Sequence, residues 1–336
     1  MPDEITIRED GTAEMAYHGD VPWHRLGKSV EGAMTSAEAI AKAGLDWSVE
    51  KHPAFDGYTF KDVPEVMFYV RSDNGKLLHT ASPEWKPFQN WEAAALLDDI
   101  VGDQLAAFNT AGSLSGGKRV WFQMKLPGEY KIKGFDKLQS YLLLANGHDG
   151  TLALRVKPTV IRVVCSNTLD VALSGVSSTF SARHTRNMAL DAEKIREVIG
   201  LTHSNFMSFA RQAEEIADHK IRRSEFLAML GHTLEMTAAD VQTALVSDKY
   251  FPGQRDVKTI NQLFSTGIGN YEPAIEYTAW TAYNAVTQYL DHAEPRIGAT
   301  AATQERVDSA RVNRSWFGKG QEMRQRSWDY LTSLVN

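Results

Sequence analysis

The chain has 336 residues, 43% of them hydrophobic and 23% charged, an ordinary globular composition that excludes wholesale disorder. Its formal net charge of -6 gives no overall attraction to nucleic acid. A single cysteine, Cys165, excludes an internal disulfide framework and a cysteine-rich zinc site, and no apolar run approaches the roughly 20 residues of a membrane helix.

Taken in chain order, the N-terminal segment from Met1 to Arg8 carries acids where a secretory signal would carry bases, so the reading is cytoplasmic with no membrane contact. A short helix is expected from Thr35 to Lys42, with Thr35 and Glu38 at capping-box spacing and Gly44 near its stop. Strands are expected near Trp47–Glu50, Val66–Val70 and Leu77–Ala81, the last two joined by the turn residues 72–75. A second helix spans Trp91–Ile100. Strand signals then become dense: 105–110, a glycine-rich turn at 113–118, Arg119–Leu126, Leu138–Leu144, a tight turn at 146–150, and 151–156. Pro158 reads as a break, with a separate strand over Val160–Cys165 and a helix capped by Ser166 or Asn167 running to Leu173.

After about residue 187 the apolar period changes from two to 3.6. Ile195, Val198, Ile199, Phe206, Phe209 and Ile216 line one face of a long helix, and shorter helices follow at 224–231, 237–247, 256–265, 273–290 and 320–334. Tyr277, Trp280 and Tyr283 fall on one helical stripe, and 293–315 reads as a connector. The expectation is an α+β fold, an antiparallel sheet with long basic hairpins packed on helices, followed by a helical C-terminal region. The domains divide as 1–186 and 187–336.

Charge is unevenly spread. Residues 1–103 carry 19 acids against 9 bases, whereas 118–186 carry 11 bases against 4 acids. Lys118 and Arg119 stand at a hairpin beside Trp121. Lys131 and Lys133 flank Ile132 next to Tyr130, which places both lysines on one strand face; Arg155 and Lys157 alternate likewise, and Arg162 follows. Cations interleaved with aromatics on hairpins form a surface that tracks a phosphate backbone and stacks unpaired bases. The competing reading is a solvated sheet edge guarded by lysine.

Gly112-Ser-Leu-Ser-Gly-Gly117-Lys118 has the spacing of a phosphate-binding loop. That loop needs a hydroxyl next, to hold magnesium, and then a helix, whereas Arg119 and a strand-like run follow; a hairpin turn is expected. His148-Asp149, with His24 as a distant partner, is a candidate metal pair, but adjacent residues point apart and the turn itself calls for Asp and Gly. Cys165 reads as a buried thiol. No catalytic residue, metal or cofactor is expected.

Several segments together, Arg8-Glu-Asp-Gly-Thr-Ala-Glu-Met-Ala-Tyr17, Pro22-Trp-His-Arg-Leu-Gly27, Gly147-His-Asp-Gly150 and Arg162-Val-Val-Cys-Ser-Asn-Thr-Leu169, resemble in order and spacing the phage/plasmid-like protein family, known as domain of unknown function 932. The resemblance covers about the first 175 residues. It implies a gene carried by a phage, prophage, plasmid or actinobacterial genome, and no established activity. Arg162, Cys165 and Asn167 match the family pattern without a role to carry over. Strands with basic hairpins followed by helices are also the coarse order of phage single-strand annealing proteins, an analogy of fold alone.

The expected function is therefore a non-enzymatic protein of a mobile element that binds or anneals single-stranded DNA and forms a homo-oligomer. Lys118, Arg119, Lys131, Lys133, Arg155, Lys157 and Arg162 would neutralise phosphates, and Trp121 or Tyr130 would stack a base. The alternatives are a metal-dependent nuclease using His148, Asp149 and His24, and a phage interaction or counter-defence protein whose acidic N-terminal face imitates nucleic acid.

Overall fold

The computed structural model describes residues 5–19, 26–31, 35–102, 106–162, 167–168, 180–182, 192–292 and 319–336. His24, Cys165, the helix expected to reach Leu173 and the connector at 293–315 lie outside them.

The class is α+β. The strands are β1 (Met15–His18), β2 (Lys28–Val30), β3 (Val49–Phe55), β4 (Asp62–Arg71), β5 (Leu77–Ala81), β6 (Ala107–Leu114), β7 (Arg119–Ile132), β8 (Asp136–Gly147), β9 (Leu154–Arg162), β10 (Asn167–Thr168) and β11 (Phe180–Ala182). The helices are α1 (Ser36–Ala43), α2 (Asn90–Gly102), α3 (Ala192–Asp218), α4 (Arg223–Leu234), α5 (Ala238–Val246), α6 (Gln254–Thr266), α7 (Ala279–His292) and α8 (Lys319–Ser333). One sheet runs β10-β9-β8-β7-β6-β1-β2, with β11 also on β9, and a three-stranded antiparallel sheet runs β3-β4-β5. The larger sheet is mixed, because β1 and β2 pair in parallel.

Local chemistry accounts for the helix ends. Thr35 Oγ1 accepts from the Glu38 amide at 3.2 Å, and the Glu38 carboxylate accepts from the Thr35 amide at 2.9 Å. This reciprocal cap satisfies donors that the first turn of α1 leaves open. Gly44 ends α1 in the left-handed region, φ 69°.

Three expectations are corrected. Strand β9 runs straight through Pro158 instead of breaking there. On one side β11 pairs with residues 154–156 and β10 with 161–162, so Pro158 falls between the two pairings, where a missing N–H costs no ladder bond among the described residues. Asn167 pairs with Arg162 in β10 and is not a helix cap. Tyr277 precedes α7 with φ 56°, half-exposed, so it leaves the stripe on which Trp280 and Tyr283 are fully buried.

The chain forms two compact units whose segments interleave. Unit 1 comprises 1–127, 141–158 and 175–201; unit 2 comprises 128–140, 159–174 and 202–336. Unit 1 buries Tyr69, Phe88, Phe108, Phe122, Leu142 and Val156, together with Ile195 and Val198 from the start of α3. Unit 2 buries Phe206, Phe209 and Ile216 from the rest of α3 with Phe226, Trp280, Tyr283 and Trp328, and adds Ile132, Leu138 and Val160 from the strands. Phe209 stacks on Trp328 at 4.4 Å, and the Trp280 indole donates to the buried Asp136 carboxylate at 2.8 Å. No helix among the described residues is long and apolar enough to cross a membrane.

Candidate nucleic-acid interface

In unit 1 the β6–β7 hairpin closes with Leu114 opposite Arg119 through a tight turn, Ser115–Gly117. Ser115, Gly116 and Gly117 all have positive φ. A side chain at Gly117 would press on Arg71 and Trp47, so this turn depends on glycine for both conformation and space. A strand and not a helix follows Lys118, so the segment lacks the helix N-terminus that a phosphate loop presents.

Under the turn lies a buried ion network. Arg71, stacked over the Trp47 ring at 4.2 Å, donates to Glu14 at 2.7 Å and to Asp73 at 2.7 Å, and Ser113 also donates to Glu14. Arg119 is only 4% exposed; its Nη2 donates to Thr151 Oγ1 at 3.1 Å, and Asp149 stands 3.7 Å away. Trp121 is 6% exposed and packs on Gly112, where any side chain would collide with the indole. It offers no open face to a base. Lys118 is half-buried and Lys125 exposed, and neither ammonium holds a carboxylate among the described residues.

In unit 2 the two lysines expected on one strand face are separated. Lys131 is exposed at the end of β7, with no carboxylate partner among the described residues. Lys133 lies past the strand in a left-handed turn, φ 50°. Its amide donates to Glu214 at 3.1 Å, and its ammonium pairs with Asp218 at 2.5 Å and Glu214 at 3.4 Å. The Asp218 hydrogen bond, against a smaller burial penalty, raises the ammonium pKa. The carboxylates of α3 therefore compete with any phosphate for this lysine. Tyr130 is half-buried against the core of unit 2. On β9, Arg155 is half-buried and Lys157 buried, and both are engaged by neighbours; the Arg162 side chain lies outside the described residues.

The candidate metal pair is dispersed. His148 is fully buried, its Nε2 2.9 Å from Asn90 Oδ1 and its ring edge-on to Trp47. Asp149 instead accepts from the Thr151 amide and hydroxyl at 3.0 and 2.6 Å, an ordinary turn role. Among the described residues no three His, Cys, Asp or Glu side chains converge as a metal site.

Two surface features escape the sequence reading. The β3–β4 hairpin tip exposes Tyr58 by 93% and Phe60 by 84%, with Phe55 beside them. The Asp56 carboxylate ties this tip by accepting from Thr59 and Tyr58, bonds that hold it below the usual carboxylate range. Asp56, Asp62 and Glu65 stand there against Lys61 alone, an unfavourable balance for phosphate.

The second feature is an open groove of about 420 Å³ in unit 2, lined by Arg223, Phe226, Asn261, Phe264, Ser265 and Tyr277. Its signal in the sequence is the basic run Lys220-Ile-Arg-Arg223, which lies outside the stretch where positive charge dominates by count.

No curated protein and no solved structure matches the chain. One family model does, that of a domain of unknown function, DUF932, over residues 77–317. The match includes the turn at 147–150 and the segment 162–169, begins after the two N-terminal segments that carried the resemblance, and extends through most of the helical part. It covers well over half of the sequence, and the chain belongs to the DUF932 family.

Proposed function

We propose that this protein binds single-stranded DNA without cutting it and holds the strand for annealing, as a cytoplasmic homo-oligomer encoded by a mobile element. The observation that supports this reading is the set of lysines on and beside β7. Lys118, Lys125 and Lys131 reach solvent and hold no carboxylate among the described residues, while Arg119, Lys133 and Lys157 are consumed by the fold. Cations free of internal partners can exchange condensed counterions for phosphates, and annealing needs no catalytic group, only a strand held with its bases accessible.

The test is a shift assay with single- and double-stranded DNA at two salt concentrations, with magnesium present to reveal cleavage. Each phosphate contact contributes about -0.7 to the logarithmic salt slope on single strands, so replacing the three lysines by alanine should flatten it by about 2. An unchanged slope, or strand cleavage, removes the reading.

A further inference from the structure

We propose that the groove of unit 2 between α4, α6 and Tyr277 is a subsite for one unpaired nucleotide, its base against Tyr277 and Phe264 and its phosphate on Arg223. The proposal rests on the single-strand reading above and supplies the stacking platform that buried Trp121 does not.

The walls are aromatic and ordered among themselves. Phe264 stacks on Phe226 with ring centroids 4.4 Å apart and 21° between planes, and Tyr277 meets Phe264 edge-on at 5.7 Å. Tyr277 is 47% exposed, so part of its ring is open to a ligand. Its backbone occupies the left-handed region, φ 56°, which a bulky side chain rarely adopts. The surroundings impose that conformation. The Ile221 amide donates to the Tyr277 carbonyl at 3.0 Å, the Ala279 amide to the His219 carbonyl at 2.9 Å, and Lys220 bridges Thr278. The short link before α4 and the segment before α7 are thus zipped together, which fixes the ring beside the basic run.

That run decides the class of ligand. Arg222 is committed to Glu225, and the Lys220 ammonium donates to the Glu276 carbonyl. Arg223 is different. Its Nη1 donates to Asn261 Oδ1 at 2.8 Å, its guanidinium lies 5.8 Å from the Phe226 ring, and its remaining donors face solvent. A planar cation with free donors, set next to an open aromatic face, matches a phosphate joined to a base. The Asn261 amide and the Ser265 hydroxyl add hydrogen-bonding edges without fixing one base identity. A cavity of about 420 Å³ is of small-ligand size, suited to one nucleotide and not to a duplex.

The experiment uses the full chain with oligo(dT) and with thymidine monophosphate, and maps photocrosslinks from the oligonucleotide. Tyr277→Asn removes the ring while tolerating the left-handed backbone, and Arg223→Gln removes the charge. Tyr277→Asn should weaken oligo(dT) about tenfold with the salt slope kept, and Arg223→Gln should flatten the slope by about 0.7. Both should melt like the parent, and crosslinks should map to Tyr277 or Phe264. If oligo(dT) binds, responds to the three-lysine variant and ignores both groove variants, the subsite is overturned while the single-strand reading stands. Binding of the monophosphate alone, lost in both groove variants, moves the source to a free nucleotide and overturns the strand. If neither probe binds the parent, both proposals fall. A protein partner lost in Tyr277→Asn, with oligo(dT) affinity unchanged, assigns the groove to protein and also overturns it.

Discussion

At the scale of single residues, Glu225 shows how the fold uses a charge that composition counts only as solvating. It sits in the first turn of α4, nearly buried, and accepts from the Arg222 side chain, from the Arg222 amide at 2.8 Å and from His219. The Arg222 hydrogen bond is the largest of these effects, and together they hold the carboxyl at about 2, far below its ordinary 4.5. The folded state thus keeps this group ionised where the unfolded chain protonates it. Its stabilisation is complete above about pH 4.5 and disappears as pH falls through about 2. Glu225→Gln should cost roughly 1–2 kcal/mol at pH 7, a discounted figure because the Arg222 guanidinium faces solvent. In thermal denaturation the gap between parent and variant should already narrow between pH 4.5 and 3. A gap that stays constant over that interval would rule out the linkage.

At the scale of elements, the sequence was most legible where one local rule decides. The cap at Thr35 and Glu38, the hairpin around 115–117 and the turn at 72–75 need only neighbours in sequence, and the structure has them. It was least legible where a partner distant in sequence decides. Lys133 alternates with Lys131 in the letters, yet Glu214 and Asp218, more than 80 residues away, pull it off the strand. Pro158 should end a strand by its own chemistry, but the gap between the pairings of β10 and β11 tolerates it. Trp121 is the most consequential case for function, because alternation along β7 says nothing about which face is covered. Its indole fills the space over Gly112. Trp121→Ala should therefore lower stability by about 3–5 kcal/mol, as for other large aromatic truncations in cores. Under conditions where the variant remains folded, the salt slope of DNA binding should equal that of the parent. A variant that melts normally but loses affinity would place the indole on the DNA after all.

At the scale of the whole molecule, the change of hydrophobic period near residue 187 marks a change of secondary structure but says nothing about which segments pack together. The chain passes between the compact units at 127/128 in β7, 140/141 in β8, 158/159 in β9 and 201/202 in α3. The letters do mark three of these crossings, with Pro127-Gly128, Pro158 and Gly200, but a proline or glycine in an element has many other uses. The consequence is testable by cutting the chain at 186/187. A fragment of residues 187–336 would retain the helices of unit 2 and lose Ile132, Leu138 and Val160 from its core. At roughly 1.5–3 kcal/mol for each buried aliphatic side chain, that is about 5–9 kcal/mol, comparable with the 5–15 kcal/mol that stabilises a whole domain. The cut would also remove Asp136, which accepts the buried Trp280 indole. The complementary fragment would lose Ile195 and Val198 from unit 1, about 3–6 kcal/mol on the same scale. Neither fragment alone should show a cooperative thermal transition, whereas mixing the two during refolding should restore one, because the missing core residues are then supplied in trans. If residues 187–336 melt cooperatively by themselves, the strand residues contribute little to unit 2, and the period change at 187 is a true domain boundary.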